Sequence, residues 1–200
     1  MKWSPITGRQ RRNKKMSERK PVGKIMIDED QIRAKAAEIG KMISDKYQGE
    51  EIILVGILKG AVMWMAELLK HIDNEQCTID FMSCSSYGSS TKTSGVVKIN
   101  KDLDADIQGK HVIIVEDIVD SGVTLTYLKK YLANRGPKSI EICALLDKPC
   151  GRKTDLKADY FGFEVGDQFI IGFGLDYAQK YRQLPYISYL EDDDEEATAE

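Results

Sequence analysis

Val112-Ile113-Ile114-Val115-Glu116-Asp117-Ile118-Val119-Asp120-Ser121-Gly122-Val123-Thr124 places four apolar residues, an acid pair and a polar turn in one unbroken line. The apolar run, led in by Lys110 and His111, reads as a strand buried on both faces. Glu116 and Asp117 are too costly to bury without partners, so they belong at the strand's carboxyl edge, where open α/β sheets bind ligands. Asp120 to Thr124 then turns the chain into a helix. Gly122 permits a tight backbone, and Ser121 and Thr124 add hydroxyls beside the unpaired amides of the helix start. That donor set suits a phosphate dianion, and two carboxylates nearby suit a ribose diol. An ordinary capped strand-to-helix turn also fits Asp-Ser-Gly taken alone. The order of the whole stretch points further, to a phosphate and ribose site. Neither a Walker A lysine nor a G-x-G-x-x-G fingerprint accompanies it, which argues against an ATPase or a dinucleotide enzyme.

Outward from this stretch, strands and helices alternate. Ile32, Ala36, Ile39, Met42 and Ile43 share a helical face, with Asp28 and Asp30 near its start. Glu51 to Leu58 reads as a second buried strand, broken by Lys59-Gly60-Ala61, and helical spacing resumes from Val62 to Ile72. Thr78 to Ser83 reads as a further strand. Ser83 to Gly95 is small, polar and rich in loop formers, a length that serves lids and surface linkers alike. Leu125, Leu128 and Leu132 stripe a helix from about Thr124 to Asn134, stopped by Gly136-Pro137. Strands are expected at Ser139–Leu146, Tyr160–Val165 and Phe169–Phe173. The alternation predicts an α/β fold, a mainly parallel central sheet flanked by helices.

The 200 residues, 42% hydrophobic and 30% charged, suit one domain with a substantial core. No apolar stretch approaches bilayer length and the N-terminus has no signal-like apolar core, so no membrane partner is expected. Cys77, Cys84, Cys143 and Cys150 form no C-x-x-C pair and only His71 and His111 accompany them, which predicts reduced thiols in a cytoplasmic protein. The net charge of -3 is uneven. Residues 1–22 hold Lys2, Arg9, Arg11, Arg12, Lys14, Lys15, Arg19 and Lys20 and read as a disordered basic extension. Residues 23–190 form the folded domain, and 191–200 an acidic disordered tail. Neither end has aromatic or helical patterning, so a nucleic-acid partner is not expected.

Val112 to Thr124 resembles the phosphoribosyl pyrophosphate motif of type I phosphoribosyltransferases, most closely the bacterial hypoxanthine branch, and the likeness spans about Lys24 to Leu190. The resemblance implies that family's fold: the parallel sheet with its helices, a small hood and a mobile lid loop. Leu58-Lys59-Gly60 resembles the pyrophosphate loop, which in the family often holds a non-proline cis peptide at the leucine–lysine bond. Ser86-Tyr87 resembles the start of the lid. Lys148 matches a lysine that contacts the purine's exocyclic oxygen. Phe169-Ile170 to Asp176 matches the segment that stacks on the base and supplies a magnesium-linked carboxylate, and Arg182 an arginine near the pyrophosphate. By composition alone, Phe169 and Ile170 would be core, Lys148 a surface lysine, and Asp176 with Arg182 an exposed helix pair.

The resemblance thus implies a purine salvage enzyme that joins hypoxanthine or guanine to phosphoribosyl pyrophosphate. Its phosphoribosyl pyrophosphate site would comprise Leu58, Lys59, Gly60, Ser86, Tyr87, Glu116, Asp117, Asp120, Ser121, Gly122, Val123, Thr124 and Arg182. Lys148, Phe169, Ile170 and Asp176 would hold the purine; Glu116, Asp117 and Asp176 would hold magnesium. Asp120 would be the catalytic acid/base. A homodimer or homotetramer is implied as well. An ammonium only donates hydrogen bonds, so Lys148 would favour an oxo group over adenine's amino group. The competing reading is a regulatory relative that keeps the fold but binds RNA or DNA under nucleotide control. Pro149-Cys150-Gly151-Arg152 departs from the bacterial pattern by having fewer basic residues.

Overall fold

The computed structural model describes residues 22–86 and 97–191. The basic extension (Val22 apart), Tyr87, most of the predicted lid loop and the acidic tail (Glu191 apart) lie outside the described residues.

Asp28 starts the first helix, α1 (Glu29–Lys46), through a reciprocal cap. Its carboxylate accepts the Gln31 amide at 2.8 Å while Gln31 Oε1 accepts the Asp28 amide at 2.9 Å. α1 buries Ile32, Ala36, Ile39 and Ile43 as the spacing predicts; Met42 lies off that face and is exposed. β1 (Ile52–Leu58) leads into α2 (Val62–Leu69), which ends short of the predicted Ile72 because the His71 and Ile72 amides bond back three residues, to the Leu68 and Leu69 carbonyls. β2 (Cys77–Ser86), β3 (Val97–Lys101), β4 (His111–Val119), α3 (Val123–Ala133), β5 (Ser139–Asp147) and β6 (Tyr160–Glu164) follow.

The six strands lie in the order β3-β2-β1-β4-β5-β6, all parallel except the antiparallel edge strand β3. Alternating β1 residues serve opposite layers. Ile52 and Leu54 pack with Ile32, Trp64 and Leu68 of α1 and α2, whereas Ile53 and Val55 pack with Leu125, Leu128 and Leu132 of α3. β1 runs on toward β2 and β4 toward β5, so the carboxyl ends of β1 and β4 form a topological switch point.

The strand predicted to end at Ser83 continues to Ser86, because Ser85 and Ser86 find backbone partners in Lys98 and Val97 of the antiparallel edge strand. The strand predicted for Phe169–Phe173 shrinks to β7 (Ile170–Ile171). Gly172, Phe173 and Gly174 have φ of 95, 43 and 102°, conformations that cannot continue a ladder. β7 pairs with β8 (Ser188–Tyr189), and bridges Val22–Leu190 and Ile27–Ile187 add the segment before α1, forming the small hood. No helix among the described residues is long and apolar enough to cross a membrane.

Candidate active site

Two cavities open above the switch point. The first, about 260 Å³, is lined by Leu58 and Gly60 from the end of β1, Cys84 from β2, Glu116 and Asp117 from β4, and the turn Asp120, Ser121, Gly122 and Thr124. The second, about 270 Å³, is lined by Lys148, Gln168, Phe169, Ile170, Leu175 and Asp176. Asp117, Ile118 and Asp120 line both, so β4 forms the wall across which molecules in the two cavities would meet.

The phosphate turn keeps its donors available. Gly122 is the N-cap of α3 at φ 76° and has no side chain to cap the helix; the Val123 amide makes a long contact, 3.4 Å, to the Ser121 hydroxyl. That single long contact leaves the other amides of the first turn without a side-chain partner, and the helix start offers them and its positive dipole end to an anion. Val123 is the first helical residue and lines neither cavity.

The acid pair is electrostatically loaded. Burial pushes the Glu116 carboxyl well above its usual range, and the neighbouring Asp117 charge adds to the rise. Burial also lifts Asp117 to about 6, against the Ile118 amide (2.8 Å) and the Arg182 guanidinium, which favour its charged form. Gly60 packs directly on this carboxylate: a β-carbon there would lie 1.6 Å from Asp117 Oδ2. Because the folded-state pKa of Asp117 exceeds the unfolded value, folding retains a proton that the unfolded chain gives up. Its contribution to stability is therefore lost as pH rises from about 4 through about 6. Asp117→Asn is expected to raise the melting temperature by several degrees at pH 7.5 without added ligands, with the gain fading at pH 4. Calorimetry at the two pH values checks this; an equal gain at both contradicts it.

In the second cavity Lys148 is no surface lysine. Its side chain is 15% exposed, and its ammonium donates to the Asp167 and Gln168 carbonyls at 3.1 Å each. The Asp167 carboxylate lies 3.7 Å away, beyond hydrogen-bond distance, so the third N–H can serve a ligand oxygen. Phe169 is 53% exposed, with its ring edge-to-face on Tyr177 at 5.5 Å, so it offers an open aromatic face. Ile170 is buried beneath.

Asp176 and Arg182 lie on the hood, not on a helix, and both are half-buried. Arg182 Nη2 meets Asp176 Oδ1 at 2.5 Å, and Nη1 donates to the Gly174 carbonyl at 2.6 Å. Gly174 in turn packs on the Gly60 carbonyl, 2.0 Å from where a β-carbon would stand. Arg182 thus ties the hood turn to the Leu58–Gly60 loop and lines neither cavity. The Leu58–Lys59 peptide is cis. Lys59 is exposed, with its ammonium on Gln179 Oε1 at 3.1 Å. Ser86 ends β2, and Tyr87 lies outside the described residues.

Glu116, Asp117 and Asp176 offer only hard oxygen ligands, the chemistry that suits magnesium. Among the described residues, however, no group of three His, Cys, Asp or Glu side chains is arranged to hold a metal by itself. This fits an ion that binds through one or two carboxylates and completes its shell with water and substrate phosphate. Sequence reasoning missed Ile118, which its place between Asp117 and Asp120 marks as a wall of both cavities, and Arg152, treated below.

The family model described as phosphoribosyl transferase domain matches residues 26–178. The chain is 52% identical to the hypoxanthine-guanine phosphoribosyltransferase of Bacillus subtilis over 169 residues, 84% of this chain and 93% of that one. It is 48% identical to the hypoxanthine phosphoribosyltransferase of Escherichia coli over 165 residues, 82% of this chain and 92% of that one. A crystal structure of a Staphylococcus aureus hypoxanthine phosphoribosyltransferase superposes with a TM-score of 0.83 at 41% identity, covering 90% of this chain and 95% of that one.

Proposed function

Because this chain belongs to the phosphoribosyltransferase family, with about half its residues identical to hypoxanthine-guanine members over most of its length, we propose that it is a purine salvage enzyme. It converts hypoxanthine or guanine and phosphoribosyl pyrophosphate into IMP or GMP and pyrophosphate. The observation that carries this reading is the pair of cavities sharing Asp117, Ile118 and Asp120, one beside the phosphate turn and the other beside Lys148 and Phe169. A regulator of RNA or DNA would have no need of a lysine held over a purine-sized cavity.

The chemistry follows from the placement. The 5′-phosphate binds the amides and hydroxyls of Ser121 to Thr124, and Glu116 and Asp117 face the ribose hydroxyls. The bond from the anomeric carbon to pyrophosphate breaks, positive charge develops on the sugar, and the two carboxylates favour it electrostatically. A purine ring nitrogen forms the new bond and its imidazole proton passes to Asp120. Lys148 donates to the oxo group while Phe169 covers the ring face. Leu58, Lys59 and Gly60 with Arg182 serve the pyrophosphate end, Arg182 by fixing the hood turn. Ser86 and Tyr87 are assigned to the lid that excludes water, on resemblance alone. Magnesium, held by Glu116, Asp117 and Asp176 together with substrate oxygens, would offset the charge building on the departing pyrophosphate.

Four free cysteines support a cytoplasmic setting, and the exposed Ile25, Val62 and Ile79 offer apolar surface to further copies in a dimer or tetramer. Pyrophosphate release is expected to require both the purine and magnesium, to stop in excess EDTA and to resume when magnesium is restored. Undiminished release in EDTA would contradict the metal assignment.

A further inference from the structure

Arg152 follows the 3-10 turn Pro149–Gly151 that succeeds Lys148. Its side chain is 14% exposed and lines neither cavity. Its guanidinium is nonetheless closely engaged. Nε donates to the Asp120 carbonyl at 2.9 Å, and Nη2 donates to the Val119 carbonyl at 3.1 Å and to the Asp147 carboxylate. Nη1 donates to the Leu156 carbonyl. The stem runs beneath the phosphate turn, with Cδ 3.2 Å from the position a β-carbon on Gly122 would take.

The choice of acceptors matters. The Val119 and Asp120 carbonyls belong to the two peptide planes that flank the Asp120 α-carbon, so one rigid guanidinium fixes both. That fixes the direction in which the Asp120 side chain leaves the backbone. The same guanidinium holds Asp147, the last residue of β5, whose next neighbour is Lys148. A lysine in this place would offer a single point of charge and could not span these acceptors in one plane.

We propose that Arg152 is a positioning residue, setting the Asp120 carboxylate in register with the Lys148 ammonium so that both address the same purine. This rests on the function proposed above. The test is a double-mutant cycle. Arg152→Lys is expected to lower kcat on the order of 10- to 100-fold in the otherwise unchanged enzyme. In an Asp120→Asn background, where the carboxylate has nothing left to deliver, the same change is expected to cost less than about threefold. Calorimetric affinity for phosphoribosyl pyrophosphate should stay within about threefold throughout. Asp147→Asn, which weakens the guanidinium's anchor, should show the same pattern.

An equal cost in both backgrounds would overturn the proposal, because a merely structural residue acts without regard to Asp120. Loss of cooperative unfolding in both Arg152→Lys and Asp147→Asn would overturn it too, by making the pair a requirement of the fold. If the unaltered protein forms no nucleotide from hypoxanthine or guanine, the underlying function fails instead, and the two failures are distinguishable.

Discussion

Asp120→Asn is expected to lower turnover by about 10²- to 10⁴-fold, the span that general acid/base catalysis supplies. The affinity for phosphoribosyl pyrophosphate is expected to stay near normal. The separation follows from which atoms of the phosphate turn do what. In the proposed mechanism phosphate binding draws on the amides at the start of α3 and on the Ser121 and Thr124 hydroxyls, none of which the substitution removes. Proton transfer is assigned to the Asp120 carboxylate, which stands on the wall shared by the two cavities. An amide of the same shape cannot accept the proton. Stopped-flow turnover and calorimetric binding on one preparation check both halves. Near-normal turnover would remove Asp120 from the proton-transfer role.

Lys148→Met is expected to reduce kcat/KM for hypoxanthine by roughly 10- to 100-fold, the usual loss for a hydrogen bond from a charged donor. The ammonium is already oriented by the Asp167 and Gln168 carbonyls, so little entropy is spent in directing its remaining N–H at an oxo group. Adenine presents a donor at the same place, so the unaltered enzyme should use it poorly, and Lys148→Met should narrow the gap between adenine and hypoxanthine. Steady-state kinetics with both bases checks this. An unchanged preference would move base recognition to another group.

The sequence made some parts of this architecture legible and concealed others. Val112 to Thr124 is legible as a buried strand, an acid pair at its carboxyl end and a glycine turn into a helix because each follows from local chemistry: apolar residues bury, carboxylates go to the edge, and glycine allows the turn. Lys148, Phe169 and Asp176 were different. Composition alone would make Phe169 core and Lys148 surface, and only resemblance placed them in a site. Phe169 proves to be exposed and Lys148 mostly enclosed. The extent of β7 was misread because Phe169 to Phe173 looks like a strand by hydrophobicity, whereas Gly172, Phe173 and Gly174 adopt positive φ, with Gly172 close against the Tyr186 carbonyl and Gly174 close against the Gly60 carbonyl. The Gly174–Gly60 contact joins residues far apart in the chain and has no local signal. The same holds for Arg152, whose four acceptors come from β4, the turn after it, β5 and the loop before β6.

One wall, Asp117 to Asp120, is proposed to bring a phosphoribosyl group to a 6-oxopurine. The most direct measurement supplies the protein with phosphoribosyl pyrophosphate, magnesium and, separately, hypoxanthine, guanine, xanthine or adenine, and identifies the nucleotide formed by mass spectrometry. IMP and GMP are expected, with adenine converted far more slowly. AMP formed at a comparable rate, or no nucleotide from hypoxanthine or guanine, would contradict the claim.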